Sequence, residues 1–308
     1  MGVVYEAEEM IRNALSIDLE EYYHGMEFEA ALGPNRDRFL PSRVEWSTNR
    51  VLDLLERNGV HATFFVVGKV AEAHPDLVRR VAAGGHEVAC HGYAHELVSR
   101  QHPTAFREDV RRAKAVVEDL GGQAVLGYRA PNYSIGAAES WAWEVLLEEG
   151  FAYDSSVYPI RHDRYGDPRA PRFHHEVLRR GVGNLIEFPI GTLRLGGINW
   201  PAGGGGYFRL LPTIFFEIAF AHVNRREGRA LMFYFHPWEL DPHQPRPPMP
   251  VVHRLRHYVN LDRCERKIER LVRVVPFAPA QDVLGLGEPR HTESSIQLAT
   301  WTATPTAT

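Results

Sequence analysis

Two histidines four residues apart, His91 and His95, are the residues whose types and spacing most directly indicate chemistry. Histidines at positions i and i+4 lie one helical turn apart on one face, so both imidazoles can reach a single divalent cation. Two ligands do not complete such a site. A set of two histidines and one carboxylate leaves positions open for water and substrate, so an acid is expected at another strand end. Without that acid, the histidine pair would be an ordinary surface feature.

An acidic segment near the N-terminus supplies this carboxylate. The apolar run of residues 13–18 breaks abruptly into Glu20, Glu21 and Tyr22, as a buried parallel strand does where it emerges at the carboxyl edge of a sheet. In an extended chain Asp18 and Glu20 point to the same side, so one carboxylate could bind metal while the other acts as a base. The alternative is a solvated acidic loop.

Three more charged or titratable residues, Arg129, Asp154 and His236, each follow a predicted strand. Pro131 stiffens the loop after Arg129, so the guanidinium is held and can clamp a carboxylate of a neighbouring strand through two parallel hydrogen bonds. An ordinary surface arginine is the alternative. Because function collects at strand ends in α/β folds, all three residues are candidates for one site.

The elements that must position these residues alternate along the chain. Short apolar runs predict strands over residues 13–18, 62–67, 86–89, 124–128, 151–156, 185–189 and 230–235. Helical spacing predicts helices over residues 42–58, 70–83, 103–120, 138–149, 212–227 and 251–272. This alternation implies parallel strands joined by right-handed crossovers, so an α/β fold is predicted.

Four segments need a separate interpretation. Residues 159–180 lack periodicity and are predicted to form an insertion or long loop with solvated histidines. The glycines at 203–206 favour a flexible loop that closes on substrate over a phosphate cradle. The amphipathic segment 251–272 is expected to dock on the body of the domain and not on a membrane. After Pro279 the chain is polar, and residues 280–308 are predicted to be a disordered tail.

Composition restricts the class of protein. The chain has 308 residues, of which 44% are hydrophobic and 24% charged, and this fits one large α/β domain or two small ones. The net charge of −4 gives no reason to expect nucleic acid or an anionic membrane as partner. Two cysteines, Cys90 and Cys264, allow at most one disulfide, and a reduced protein is the simpler interpretation. No secretion signal and no apolar run near the ~20 residues of a membrane span are found, so a soluble, cytoplasmic protein is expected.

Several motifs together resemble one known family. SIDLEEYYHG, HATFFVVGKVAEAHPDLVRRVAAGGHEVACHGYAHELV, GYRAPNYSI, FAYDSS and FYFHPWEL occur in the order of the motifs of polysaccharide deacetylases of the NodB-homology type, also grouped as carbohydrate esterase family four. The stretch from FPIGTLRLGGINWPAGGGGYFRLLP to the HYVNLDR helix resembles the branch found beside exosortase and exopolysaccharide gene clusters in Gram-negative bacteria. The resemblance covers residues 13–275 and implies a single domain, a distorted (β/α) barrel of about seven parallel strands.

For the metal site, the resemblance implies His91 and His95 as ligands of a divalent ion, most simply Zn2+, with Co2+ or Ni2+ as alternatives. Glu20 falls where the acidic ligand of the family is expected. The family pattern has two adjacent aspartates, so either Glu20 or Glu21 could be the carboxylate here, and strand alternation favours Glu20. Gly92 is a second departure, because many relatives carry at this position a hydroxyl residue that could brace the loop.

For catalysis, the resemblance implies Asp18 as the base and Arg129 as the arginine that orients it. Asp154 matches the acid that partners the catalytic histidine, and His236 matches that histidine. Asp18 would then take a proton from a water that the ion makes acidic, and His236 would protonate the leaving amine. Four aromatic residues are candidates for stacking on sugar rings: Tyr133, Trp200, Tyr207 and Trp238.

The predicted function is therefore the removal of N-acetyl groups from amino sugars of a polysaccharide or its precursor, with an N-acetylated glycan as partner. The absence of an export signal argues for an intracellular precursor, or for a partner at the inner membrane face. One alternative is a related hydrolase that acts on a small cyclic imide or ureide, similar to allantoinase. The other is a noncatalytic carbohydrate-binding protein, whose signature would be lost ligands, and none is lost here.

Overall fold

The computed structural model of the chain describes residues 10–33, 36–180 and 183–286. The strands are β1 (Asn13–Leu19), β2 (Thr63–Val66), β3 (Glu87–Cys90), β4 (Gly127–Tyr128), β5 (Tyr153–Asp154), β6 (His175–Arg180), β7 (Gly183–Glu187), β8 (Thr192–Leu195), β9 (Ile198–Pro201), β10 (Met232–Phe235) and β11 (Phe277–Ala278). The helices are α1 (Met26–Leu32), α2 (Val44–Asn58), α3 (Gly68–Ala73), α4 (Pro75–Ala83), α5 (Pro103–Gly121), α6 (Trp141–Glu148), α7 (Gly205–Leu210), α8 (Thr213–His222), α9 (Val251–Tyr258), α10 (Leu261–Val274) and α11 (Ala280–Val283).

The main sheet has the strand order β10-β1-β2-β3-β4-β5-β7-β6. Every neighbouring pair from β10 to β7 is parallel, which gives seven parallel strands, and β6 adds antiparallel to β7. The sheet curls until Ile190, just after β7, forms a parallel bridge with Met232 of β10. The predicted distorted (β/α) barrel of about seven parallel strands, in a single domain, is confirmed.

Alternating side chains of each parallel strand enter two different layers. In β1, Leu15, Ile17 and Leu19 pack in the apolar layer beneath the helices, whereas Ala14 packs in the barrel interior. The same alternation continues in the other strands, because a pleated strand sends successive side chains to opposite faces. Asp18 and Ser16 therefore lie on the interior face of β1, as Ala14 does.

Four features of the connecting segments differ from the predictions. The segment predicted to be an insertion or long loop, 159–180, ends in β6, and β8 pairs with β9 in a separate antiparallel hairpin. These strands are partly exposed, so the sequence lacks the continuous apolar run that marks a buried parallel strand. The predicted helix 70–83 is two helices, α3 and α4, because Pro75 begins the second. The predicted helix 251–272 is likewise divided into α9 and α10 at Asn260, which has a positive φ of 54°.

The prediction of a flexible loop at residues 203–206 is wrong, because these glycines pack against β10. Tyr234 donates its N–H to the carbonyl of Gly203 over 2.7 Å, and α7 begins at Gly205. Gly204 has a φ of +116°, and a Cβ there would lie 1.9 Å from the carbonyl oxygen of Tyr234. The glycines therefore permit a close approach of two backbones.

The C-terminal segment is ordered for longer than expected. Residues 280–286, assigned to a disordered tail, contain α11, and the N–H of Ala280 donates to the hydroxyl of Thr63 over 2.7 Å. Residues 287–308 lie outside the described residues. Cys90 and Cys264 are both buried and free. Within the described residues, the helices are all too short or too polar to cross a membrane.

Candidate functional site

The carboxyl end of β1 delivers two buried acids, Asp18 and Glu20, to the interior of the barrel, each 3% exposed. Arg129, which is wholly buried, donates from Nη1 to Oδ1 of Asp18 over 2.5 Å. The same guanidinium also donates to the hydroxyls of Ser16 and Ser155, both over 2.9 Å. Arg129 is thus fixed from several sides and holds Asp18 through one hydrogen bond, where the sequence analysis had expected two parallel ones.

His91 follows β3 at the same edge of the sheet. Its Nδ1 lies 2.7 Å from the carbonyl oxygen of Arg129, so Nδ1 carries the proton and donates it there. Nε2 is then left as the free donor atom, 3.9 Å from Oε2 of Glu20. Burial lowers the pKa of His91 to about 4, so the ring is neutral and competent to bind a cation.

His95 reaches the same carboxylate, but not through a helix. Its Nε2 is 2.5 Å from Oε2 of Glu20. Residues 91–97 contain no helical turn, and both Gly92 and His95 have positive φ angles, 70° and 55°. The expectation that the two histidines share a helical face is therefore wrong, since a loop that folds back on itself brings the rings together.

This loop is braced by an acid that the sequence analysis missed. Asp109 of α5 accepts hydrogen bonds from the N–H groups of Tyr93 and Ala94, over 2.7 and 3.3 Å. A Cβ on Gly92 would lie 3.1 Å from Oδ2 of Asp109, so the glycine leaves room for this brace. The support that a hydroxyl residue could give after the first histidine is supplied here from a helix.

A third histidine, His24, also joins the cluster and was not singled out from the sequence. Ligand atoms of Glu20, His24 and His95 all lie within 4.8 Å of one another. The ring of His24 stacks on that of His95 at a centroid distance of 4.9 Å, and its buried Nδ1 has no hydrogen-bond partner among the described residues. Burial, followed by the charge of His95, lowers the pKa of His24 to about 3. The signal available in the sequence was its position in the acidic segment, four residues after Glu20.

Of the two glutamates left open by the sequence, only Glu20 faces the histidines. Glu21 accepts hydrogen bonds from the hydroxyl of Ser42 and the N–H of Arg43, away from the cluster. Burial alone would raise the pKa of Glu20, but the nearby charge and hydrogen bond of His95, together with His236, hold that pKa below its usual range. The carboxylate is therefore ionised, as a metal ligand must be.

His236 follows β10 on the other side of the cleft. Its Nε2 is 3.7 Å from Oε1 of Glu20 and 3.9 Å from Oδ2 of Asp18. Its Nδ1 is 2.8 Å from Oε1 of Glu239, whose Oε2 forms a 2.7 Å ion pair with Nε of Arg209 without the alignment of a hydrogen bond. Burial opposes the charged form of His236, but the hydrogen bond of Glu239 and the negative charges of Glu20, Glu239 and Asp18 together outweigh it and raise the pKa of the imidazole.

The predicted pairing of Asp154 with His236 is wrong. Asp154 lies on the outer face of β5, where it accepts a hydrogen bond from Nε1 of Trp143 over 2.9 Å and one from the hydroxyl of Ser156. Asp154 also shares a hydrogen bond with Glu187, and burial raises the pKa of both acids. Because Tyr153 occupies the interior face, the pleat sends Asp154 to the opposite side.

A cleft of about 490 Å3 connects these groups to solvent. Asp18, Glu20, His91, His95 and His236 all line it. Among the aromatic candidates, Tyr133, Tyr207 and Trp238 line the cleft, whereas Trp200 is a half-exposed residue of β9 that does not. The ring of Trp238 is stacked between those of His236 and His257, with centroid distances of 4.8 and 4.3 Å. This stacking fixes the orientation of the His236 imidazole.

Comparison with known families matches two parts of the chain. Residues 41–148 match the family described as polysaccharide deacetylase, and residues 155–285 match a domain of unknown function, DUF3473. A chitooligosaccharide deacetylase of Rhizobium leguminosarum bv. trifolii is 40% identical over 151 residues, which are 49% of this chain and 62% of that enzyme. A peptidoglycan-N-acetylglucosamine deacetylase of Bacillus cereus is 32% identical over 98 residues, which are 32% of this chain and 36% of that one. The matched stretches thus span between about a third and two thirds of the length of these relatives.

Solved structures show the same fold. One, described as a putative polysaccharide deacetylase from Mycobacterium smegmatis, superposes with a TM-score of 0.56 at 20% identity and covers 95% of this chain and 98% of its own. Another, a probable polysaccharide deacetylase from Pseudomonas aeruginosa PAO1, gives a TM-score of 0.58 at 17% identity and covers 89% of both chains. The resemblance to the polysaccharide deacetylase family is therefore confirmed, by sequence over residues 41–148 and by fold over most of the chain.

Proposed function

We propose that this chain is a metal-dependent N-deacetylase that removes acetyl groups from amino sugars of a polysaccharide or its precursor. The observation that carries the proposal is the convergence of two carboxylates, Asp18 and Glu20, and three imidazoles on one cleft, with His24 close to two of these groups. Relatives named as chitooligosaccharide and peptidoglycan deacetylases support this reaction class. A glycan with N-acetyl groups is the proposed partner, and the cytoplasmic location stays a prediction.

The donor atoms suit a divalent transition metal. Glu20, His91 and His95 are the proposed ligands, and the orphaned buried nitrogen of His24 supports it as a fourth. Imidazole nitrogens with one carboxylate oxygen favour Zn2+, Co2+ or Ni2+ over Mg2+ or Ca2+, which prefer oxygen ligands. An ion bound there would supply Lewis-acid chemistry, which polarises an amide carbonyl and makes water more acidic.

Asp18 is the proposed general base. One of its oxygens is held by Arg129 at 2.5 Å, and its other oxygen faces the cleft on the side of His236. This hydrogen bond fixes the rotamer of Asp18, so its free oxygen already points towards the position from which a water would give up its proton.

His236 is the proposed general acid. A hydrolysed amide releases an amine, which is a poor leaving group unless it is protonated. The carboxylate of Glu239 lies 2.8 Å from Nδ1 of His236 and accepts the proton of that nitrogen. The proton that His236 would donate to the amine is therefore the one on Nε2, which faces the cleft. We assign to Glu239 the partner role that the sequence had given to Asp154.

Acetate release from N-acetylated chito-oligosaccharides tests the proposal. Asp18→Asn is expected to keep bound metal and lose turnover, whereas His91→Ala loses both; Asp76→Asn, an exposed acid of α4, serves as the control. Chelation should abolish activity and added Zn2+, Co2+ or Ni2+ should restore it. Retention of most activity by Asp18→Asn would refute the base assignment. Ring opening of a cyclic ureide without acetate release would favour the alternative hydrolase.

A further inference from the structure

Helix α9 leaves an apolar face in solvent. Val251, Val252 and Leu255 are 59, 59 and 60% exposed, although they lie one turn apart on a single face. The expectation that residues 251–272 dock on the body of the domain is correct for α10, whose residues Leu261, Cys264, Ile268, Leu271 and Val272 are buried. In α9 only the end is packed, where His257 and Tyr258 are buried. Exposure of three neighbouring aliphatic side chains to water is unfavourable, and such a patch is typical of a surface that binds a partner.

Helix α9 and the segment before it are basic, although Asp163 and two acids of the neighbouring α1, Glu27 and Glu29, lie beside the helix. Residues 242–261 contain no Asp or Glu, although the net charge of the chain is −4. Arg254 has no ion-pair partner within the described ranges, and Arg246 lies over the ring of Tyr258 without an acid. Arg256 pairs with Asp163 at the rim of the cleft. A basic helix with an exposed aliphatic face has the composition of a helix that lies in a membrane interface.

This face continues into the cleft. Arg209 at the end of α7 donates to the carbonyls of Arg256 and His257, over 3.0 and 2.5 Å, and so holds α7 against α9. The next residue, Leu210, is 60% exposed, and both Leu210 and Arg256 line the cleft. The apolar face and the opening of the cleft are therefore neighbours.

We propose that α9 and Leu210 form a docking surface for a membrane that contains anionic lipid. The charge favours this occupant, because acidic headgroups attract basic segments close to the surface and the overall negative charge of the chain is screened beyond about 10 Å. A protein partner would need roughly 800 Å2 on each side, whereas α9 offers a single exposed turn and a half. This inference goes beyond the proposed reaction and does not depend on it.

Sedimentation with vesicles tests the docking surface. The full chain is mixed with vesicles of phosphatidylcholine alone, or with vesicles in which half of the lipid is phosphatidylglycerol. Binding is expected only to the second kind and should weaken as salt is added. The triple substitution Val251→Ser, Val252→Ser and Leu255→Ser should lower the bound-to-free ratio by at least tenfold, and Arg254→Gln should lower it severalfold.

Val274→Ser is the matched control, because Val274 is also 59% exposed but lies on α10. It should bind vesicles as the unaltered chain does, and thermal unfolding should confirm that each variant is folded. Equal binding to both kinds of vesicle by the triple variant and the unaltered chain would overturn the proposal. So would an equal loss with Val274→Ser, or a chain that ignores vesicles and instead self-associates through α9 in size-exclusion chromatography.

Discussion

Replacing Glu239 by glutamine should shift the pH dependence of turnover. His236 must be protonated to act as an acid, so turnover falls as the pH rises through its pKa. The contact with Glu239 raises that pKa and thereby extends the active range upward. Glutamine keeps the size of the side chain but removes the negative charge, and the positive charge of Arg209 is then left uncompensated 2.7 Å from the substituted group.

The magnitude follows from the strength of the contact. A hydrogen bond to a charged group contributes about 1.5–3 kcal/mol, and about 1.4 kcal/mol corresponds to one pKa unit. The side chain of His236 is 19% exposed, so solvent screens the interaction only weakly. The pKa of His236 should therefore fall in Glu239→Gln. At a pH above the new value, turnover should be about tenfold lower than in the unaltered enzyme.

The assay is kcat for acetate release as a function of pH, at saturating substrate and with bound metal measured for each preparation. Asp154→Asn is the informative control, because the sequence analysis assigned Asp154 the role that we propose for Glu239. The alkaline limb of the profile should move to lower pH in Glu239→Gln and stay in place in Asp154→Asn. The reverse pattern would refute the reasoning, as would an unmoved limb in both variants.

Three further outcomes are expected. His24→Asn should weaken Co2+ binding at least tenfold in chelator competition and change the visible spectrum of the bound ion, whereas His162→Gln, in the same cleft, should change neither. The pKa of Glu187 is raised, so over a range of pH the folded chain holds a proton that the unfolded chain has released. As the pH rises through that range, this group lowers the free energy of unfolding measured in urea. Glu187→Gln should make that free energy less dependent on pH. Gly204→Ala should destabilise by more than about 2 kcal/mol, whereas Gly196→Ala, with a φ of 59° and nothing near its Cβ, should cost about 1 kcal/mol.

The measurements also define what would contradict each expectation. Unchanged Co2+ affinity in His24→Asn would reduce that histidine to a ring that packs on His95. Parallel stability curves for Glu187→Gln and the unaltered chain would mean that the buried acid pair is ionised. Equal unfolding midpoints for the two glycine variants would show that the approach of Gly204 to β10 tolerates a side chain.

The seven parallel strands could be predicted because a strand buried on both faces is a continuous apolar run. The segments that become β2 and β10, for example, are bounded by polar residues and have no exposed position. The strands that were missed, such as β9, alternate between partly and largely exposed residues and resemble loops in composition. Their pairing depends on neighbours that only the folded chain brings together.

The side-chain directions of site residues could be predicted beside a long strand. They could not be predicted beside a short one. Seven residues of β1 fix the alternation, so Asp18 and Glu20 could be placed on one face. The two residues of β5 do not indicate which side chain points inward, and Asp154 was assigned to the wrong side. Glu239 was missed because its contact with His236 arises in the turn of 3-10 helix at Pro237–Leu240, not in a strand.

The position of β1 between β10 and β2 has a consequence for how the chain folds. Its hydroxyl-bearing residue Ser16 bonds to the carbonyl of Phe233 across 217 residues of sequence, so one flank of this strand is filled only when β10 arrives. Pairings between residues so far apart in sequence slow folding, because the entropy of closing the intervening loop is lost before the contacts form. A fragment that stops before β10 would carry both acids of β1 beside an open strand edge, and would be prone to aggregate rather than to bind a glycan.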